Sequence, residues 1–492
     1  MSNRLTEQLV AQLPADVVRP RYDRSQLKPG IVHLGVGAFH RAHQAWYTEQ
    51  VLNREGGDWG IIGVSLRSAG VRDQLQPQQG LYTVVERDGD QRRCQVIGAI
   101  SRVLVAPENP QQLIEQLSHP DIRVITLTVT EKGYCYDHAT QALNSDDPDV
   151  QRDIASFPQS PTTAIAYLVA SLALRAERGD PGVTLLSCDN LPHNGHILRK
   201  VVLDLASKVD PALPGWIETN VTFPCSMVDR IVPATSNADL EKLQQGSGVR
   251  DEAAVFTEPF SQWVVEDDFI RGAPDWQAVG AQFTNDVTPF ETMKLRLLNG
   301  SHSLIAYLGY LMGYEYVHEV MADQQLSDLV RLYMDRQVQS TLTIPAGFDI
   351  DDYKTQLCQR FANSALNHRT YQIAQDGSQK IPQRWLASVR ELEQQGERTD
   401  ILSLAVAGWI RFLQGRRESG ELFVVDDPLA ERLQLAAAEE EPCRAVMGVV
   451  AVFGEMLTEN PVFVQAVNDS YQQFSQAGIS AAVGSVINAV RV

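Results

Sequence analysis

The sequence contains no C-x-x-C pair, no apolar run approaching the ~20 residues that a membrane-crossing helix needs, and no excess of positive charge. Its six cysteines, Cys94, Cys135, Cys188, Cys225, Cys358 and Cys443, lie far apart. Such spacing offers neither a zinc ribbon nor a disulfide framework, and free thiols in a reducing compartment are expected. A formal charge of −19 speaks against nucleic acid as a partner, because phosphate backbones call for clustered Lys and Arg. It also means that an anionic substrate has to be held by local cations against the field of the whole chain. The stretch "MSNRLTEQLVAQLPADVVRP" is amphipathic and contains acids, unlike a secretory signal. A cytoplasmic protein with neither a nucleic-acid nor a membrane partner is expected.

What is present is a globular composition, 44% hydrophobic and 21% charged, over 492 residues. That length exceeds one ordinary core, so two or more domains are expected. The first half alternates strand-like runs, "GIVHLGV" (30–36), "WGIIGVSL" (59–66), "LYTVVER" (81–87), "IRVITLTVT" (122–130) and "VTLLSCDNL" (183–191), with helix-like ones such as 162–180. Near-continuous apolar strands between helices predict a Rossmann-type, doubly wound α/β sheet. From Thr288 strand signals become scarce. Residues 288–321 read as one long buried helix and 400–415 as another. The expected division is a dinucleotide-binding domain over 1–285 and a mainly α-helical substrate and catalytic domain over 286–492.

"VHLGVGAFHRAHQ" (32–44) begins like the dinucleotide fingerprint Gly-x-Gly-x-x-Gly, with Gly35 and Gly37 in place and His40 where the third glycine belongs. A preceding strand and a following helix over 38–52 would present backbone N–H groups and a helix N-terminus to a pyrophosphate; a simple turn is the alternative. The acid that would bind the adenosine ribose is missing. "GVSLRSAGVRD" offers Ser65, Arg67, Ser68 and Arg72 before Asp73. NAD is the expected cofactor, with NADP not excluded. The pairs His40/His43 and His193/His196 lack a third ligand and an H-E-x-x-H context, so no metal is expected.

In "TPFETMKLRLLNGSH" (288–302), Thr288, Pro289 and Glu291 fit an N-cap, a first-turn proline and a capping-box acid. At α-helical pitch Asn299 lies about 140° and His302 about 80° around from Lys294, so the three share one broad face within ~12 Å along the axis. A buried lysine tends to lose its charge and can exchange a proton with a secondary alcohol or ketone. Asn299 can donate to a developing alkoxide and His302 can fix a hydroxyl. The same residues also fit a boundary helix whose lysine reaches solvent and whose Asn–Gly marks a kink. "SCDNLPHNG" (187–195) places Asn190 past an apolar strand, where open α/β sheets bind ligands, or in a plain turn.

Together "HLGVGAFHRAHQ", "TLTVTEKGYC", "SCDNLPHNG", "FPCSMVDRIVPAT", "EPFSQWVVEDDF" and "MKLRLLNGSHS" resemble the polyol-specific long-chain dehydrogenases, over roughly residues 20 to 480. The resemblance implies a metal-independent, monomeric NAD(P)-dependent oxidoreductase that interconverts alcohol and ketone at C2 of a sugar or sugar acid. It implies Lys294 as general acid/base, Asn190 and Asn299 as the oxyanion-binding pair, and Glu291 in proton exchange with solvent. His302 and Asp229 become binders of substrate hydroxyls. The loop Gly35 to Arg41, with Phe39, His40 and Arg41, matches the family's cofactor loop as it stands. "NHRTYQIAQDGSQKIPQR" (367–384) is similar to the branch acting on D-mannonate and D-fructuronate, and Lys380 matches a substrate-binding lysine. Members acting on D-mannitol carry an arginine eight residues before that lysine; here Gln372 stands there, with Arg369 nearby. Arg369 and Lys380 are therefore expected to read a substrate carboxylate. "DNLPHNG", "GVSLRS" and "YEYVHEVM" lie closer to the mannitol branch, which is the alternative.

Overall fold

A computed structural model describes residues 3–137, 140–458 and 460–491. The chain forms two compact units, one ending at Thr288 and the other beginning at Pro289. Fourteen strands are found among the described residues. They are β1 (Pro29–Leu34), β2 (Gly60–Ser65), β3 (Tyr82–Asp88), β4 (Gln91–Ile97), β5 (Ile100–Val105), β6 (Val124–Leu127), β7 (Tyr136–Asp137), β8 (Ala142–Leu143), β9 (Val183–Ser187), β10 (Val221–Thr222), β11 (Ser226–Asp229), β12 (Val255–Thr257), β13 (Gln262–Glu266) and β14 (Gln282–Thr284).

Six of them make a parallel sheet in the order β10-β9-β6-β1-β2-β5. The chain builds outward from β1 first through β2, then on the other side through β6. The reversal therefore falls between β1 and β6, where doubly wound sheets open a ligand crevice at the strands' C-terminal ends. Alternate side chains feed two cores. Val32, Leu34, Ile62, Val64, Ile125, Leu127 and Leu185 pack with the helix Ala164–Arg178 on one face. Ile31, Ile61, Val124 and Leu186 pack with the helix Gln44–Glu55 on the other. Burial on both faces explains why these strands read as continuous apolar runs. Thr163 caps the helix Ala164–Arg178 by accepting from Ala166 N–H, and Gly179 ends it at φ +67°.

Some expectations are corrected. The strand expected at 81–87 forms as β3 but lies outside the main sheet; it pairs with β4 and β12 in a three-stranded sheet. Its cause is the Asp88-Gly89-Asp90 turn, with Gly89 at φ +53°, which closes a β3–β4 hairpin. The sheet edge is taken instead by β5, whose Ser101 and Arg102 are exposed. An edge strand keeps one flank solvated and so lacks the apolar run. The helix expected over 38–52 breaks at His43 into Ala38–Ala42 and Gln44–Glu55. The long helix expected over 288–321 stops at Met312, where Gly313 adopts φ +100°, and a new helix spans Val317–Ala322. Thr288 is the first helical residue rather than the cap, and its N–H donates to Asp286 Oδ1 at 2.9 Å.

Glu49 is buried on the helix Gln44–Glu55 and ties it to the rest of its unit. Its carboxylate accepts from Tyr22 Oη (2.8 Å), Gly98 N (2.8 Å) and Asn53 Nδ2 (3.1 Å). Burial pushes this acid up to about 7. The folded protein thus holds a proton there that the unfolded chain releases near 4.5, so this group's contribution falls as pH rises through that window. In Glu49→Gln, thermal melts between pH 4.5 and 7 are expected to lose this downward component of Tm; an unchanged pH profile would refute the assignment.

Candidate active site

The loop after β1 carries both fingerprint glycines, for different reasons. Gly35 lies at φ +95°, its N–H donates to Val64 O at 2.9 Å, and a methyl group there would sit 2.0 Å from Thr128 O. The fold itself demands that glycine. Gly37 has an ordinary backbone, φ −74°, and a methyl group on it would meet nothing nearer than 3.8 Å. The fold makes no such demand at Gly37; a bare backbone there leaves room for a ligand to approach closely. Both line a cleft of about 570 Å³ with Ser65, Arg67, Thr128 and Thr130. This fits the pyrophosphate and ribose of a dinucleotide at the β1/β6 switch point. The following helix has only five residues, so loop N–H groups carry the anion contact rather than a long helix dipole.

Phe39, His40 and Arg41 are placed behind the loop instead of along the cleft. Phe39 stacks on His43 at 5.1 Å. His40 is 1% exposed and its ring lies on that of His33 from β1, centroids 3.3 Å apart. The position that a third glycine would keep narrow is thus filled by a stacked imidazole pair. His33 bonds Thr126 Oγ1 (2.7 Å) and Thr128 Oγ1 (2.8 Å). Burial pulls His33 down to about 3 and His40 well below its usual range, so both are neutral. Arg41 donates to the carbonyls of Gly37 and Ala253. At the end of β2, Arg67 and Ser68 line the cleft, whereas Arg72 is bound to Asp73 and Glu108.

Asn190 is exposed just beyond β9, and Asp229 is buried at the end of β11. Asn194 fixes their surroundings: its amide donates to Asp189 O (3.0 Å) and Ser226 O (2.7 Å) and accepts from Ser226 N. Asp189, one residue before Asn190, accepts from Val129 N and Thr130 N, both at 2.9 Å, and from Tyr134 Oη at 2.7 Å. It clamps the loop after β6 that lines the cleft, with Thr130 at φ +65°. In the sequence, Asp189 was masked by its turn-like neighbours.

In the second unit Lys294, Asn299 and His302 are 7%, 9% and 7% exposed. Glu291 is half-buried one turn before Lys294. The segment Lys294–Asn299 is π-helical, and the Gly300 N–H reaches back five residues to Leu295 O. An i→i+5 turn brings residues five apart toward alignment. Lys294 and Asn299 are therefore closer around the axis than the α-helical estimate. The widened turn is held by side chains on its carbonyls: Tyr333 Oη on Arg296 O (2.9 Å), Arg384 Nη1 on Asn299 O (3.3 Å) and Trp385 Nε1 on Gly300 O (3.0 Å). Gly300 admits Tyr333, because a methyl there would come 2.1 Å from the hydroxyl.

His302 packs on Phe361 (4.6 Å) and edge-on to His368 (5.3 Å). Burial, then the charges of His368, Arg360 and Arg384, holds His302 well below its usual range, and burial pulls His368 down to about 4. Arg369 is exposed, with its guanidinium 6.0 Å from the Tyr316 ring. Lys380 is half-buried and donates to Gln375 O (2.6 Å) and Ile373 O (3.4 Å), with Asp376 at 4.0 Å. Arg360, His368 and Arg384 were not singled out from sequence. His368 and Arg384 lie within the 367–384 stretch and Arg360 just before it, but what brings them near His302 is tertiary packing. Among the described residues no group of three or more His, Cys, Asp or Glu is placed to hold a metal, and no helix is long and apolar enough to cross a membrane.

Comparison with known proteins matches residues 29–278 to the mannitol dehydrogenase Rossmann domain and 286–475 to the mannitol dehydrogenase C-terminal domain. The uncharacterized oxidoreductase YeiQ of Escherichia coli is 46% identical, covering 95% of this chain and 96% of its own length. The D-mannonate oxidoreductase of the same organism is 44% identical, covering 96% and 98%. The ternary complex of Pseudomonas fluorescens mannitol 2-dehydrogenase with NAD and D-mannitol superposes with a TM-score of 0.90 at 40% identity, over 99% of each chain.

Two glycine substitutions separate fold from ligand. Gly35→Ala is expected to lower Tm by several degrees, as a strained αL residue with a backbone clash costs on the order of 1–3 kcal/mol. Gly37→Ala should leave Tm within about 2 °C yet weaken dinucleotide binding at least roughly tenfold, about 1.4 kcal/mol, by fluorescence titration. The opposite ranking would overturn the separate roles of the two residues.

Proposed function

The chain belongs to the mannitol dehydrogenase family of oxidoreductases, and from that premise we propose that it transfers hydride between NAD and C2 of a sugar acid, interconverting D-fructuronate and D-mannonate. When bound, the nicotinamide supplies or accepts the hydride. The residues of the chain manage the proton and the charge. In reduction, Lys294 gives its proton to the carbonyl oxygen as that oxygen becomes an alkoxide, and takes it back in oxidation. Asn299 in the second unit, and Asn190 in the first, are each suited to donate to an oxygen where negative charge develops. Glu291, half-buried one turn before Lys294, passes the proton to solvent. Asp229 and His302 hold substrate hydroxyls.

The observation that carries this reading is a 7% exposed lysine on a widened turn that also bears Asn299. A lysine held there can donate a proton to a substrate oxygen and accept it back. The 44% identity to D-mannonate oxidoreductase supports the acid as substrate. The likeness to mannitol 2-dehydrogenase favours the second reading, D-mannitol and D-fructose. The first unit is the dinucleotide domain and the second the substrate and catalytic domain, in a cytoplasmic monomer whose six free thiols suit a reducing compartment. Arg67 at the β2 edge leaves NADP as the second cofactor to assay.

Lys294→Ala is expected to lose roughly 10³-fold in kcat/KM while NADH still binds with wild-type affinity. Retained turnover would remove the proposed acid/base. Initial rates with D-fructuronate and D-fructose, each with NADH and NADPH, decide between acid and polyol: a higher kcat/KM for fructose would reject the sugar-acid reading.

A further inference from the structure

The second unit holds a cluster of polar groups around His302 that the proton chemistry leaves unexplained. His302 Nε2 and His368 Nδ1 are both buried with no hydrogen-bond partner among the described residues. Buried imidazole nitrogens of this kind cost free energy unless a ligand satisfies them. Two guanidinium groups bear on the same ring, those of Arg360 and Arg384, and each disfavours a charged His302. Arg360 is itself 7% exposed and adjoins Phe361, on which His302 packs. Arg384 reaches the catalytic helix directly: Nη1 donates to Ser303 Oγ at 2.9 Å and to Asn299 O at 3.3 Å.

We propose that Arg384 reads the carboxylate of a sugar-acid substrate, with the imidazoles of His302 and His368 meeting the hydroxyls beside it. This rests on the sugar-acid reading above and moves its carboxylate contact away from Arg369. The geometry favours the change. Arg369 is exposed over Tyr316. Arg384 is anchored to the very turn that carries Asn299, so a carboxylate on it is registered against the reacting end of the substrate. A guanidinium is always charged, presents five donors in a rigid fork and suits a carboxylate.

The measurement is the ratio of kcat/KM for D-fructuronate to that for D-fructose, in the full-length protein and its variants. Arg384→Gln is expected to lower this ratio roughly 30- to 100-fold, and Arg384→Lys, which keeps charge but loses the fork, by a smaller factor of about 10. A purely structural Arg384 would lower both rate constants alike and leave the ratio unchanged, which would overturn the inference alone. A fall in the ratio for Arg369→Ala with none for Arg384→Gln would return the carboxylate to Arg369. If the unmodified protein prefers fructose, the sugar-acid reading and this inference fall together. Should Arg384→Gln not fold, Arg384→Lys reads the same ratio.

Discussion

Everything proposed for the second unit depends on one widened turn of helix. An i→i+5 turn leaves carbonyls without the N–H that an α-helix would supply, and in a buried helix those oxygens need other donors. Tyr333, Arg384 and Trp385 provide them, at Arg296, Asn299 and Gly300. Tyr333 begins one further π-helical turn, and Arg384 and Trp385 lie in another. Irregular helix is thus braced by irregular helix. The result is that a lysine, an asparagine and a histidine, all buried, share one broad face of a single element. Without the bracing the turn would relax to α-helix, and Asn299 would swing away from Lys294 by most of the difference between the two geometries.

The first unit meets a similar demand by simpler means. The switch point between β1 and β6 opens a crevice because the chain leaves β1 in opposite directions on its two sides. Gly35 turns the backbone across its mouth, held by Val64 and pressed on Thr128. The neutral His33–His40 stack sets the spacing behind it. Asp189 clamps the facing loop through Val129 and Thr130. A half-buried carboxylate bonded by two backbone N–H groups and a tyrosine is a rigid post, and Asn190 follows it directly in sequence. Loop rigidity here comes from charge-assisted hydrogen bonds rather than from regular structure.

What the sequence revealed follows the strength of each physical signal. The parallel core was legible because both sheet faces are covered, which writes itself as unbroken apolar runs at β1, β2, β6 and β9. The edge strand β5 was not, since Ser101 and Arg102 face solvent and break the run. The β3–β4 hairpin hinged on one Asp-Gly turn that a search for apolar runs passes over. Lys294, Asn299 and His302 could be placed on one element, but the π turn could not be foreseen: its donors lie 37 and 85 residues away. His40 illustrates the converse. Its departure from the glycine pattern was visible, while its partner His33 became evident only when strand and helix were packed together.

The charge balance then gives the arrangement its direction. A chain carrying −19 repels an anionic sugar at long range, yet screening over ~8 Å in physiological salt confines that repulsion to the surface. Close to a binding site only nearby groups count, and two guanidinium groups and a second imidazole stand near His302. Burial holds both imidazoles neutral, and the nearby cations add to this at His302, so the ring nitrogens remain fit for hydrogen bonding to hydroxyls at any pH near 7. On the proposed reading, a guanidinium that meets the substrate's carboxylate discriminates against a neutral sugar, which offers it none. Specificity of that kind arises from the cost of an unmet charge, and it requires the guanidinium to be fixed; an arginine bonded to the backbone of the reacting turn meets that requirement better than one stacked on a surface tyrosine.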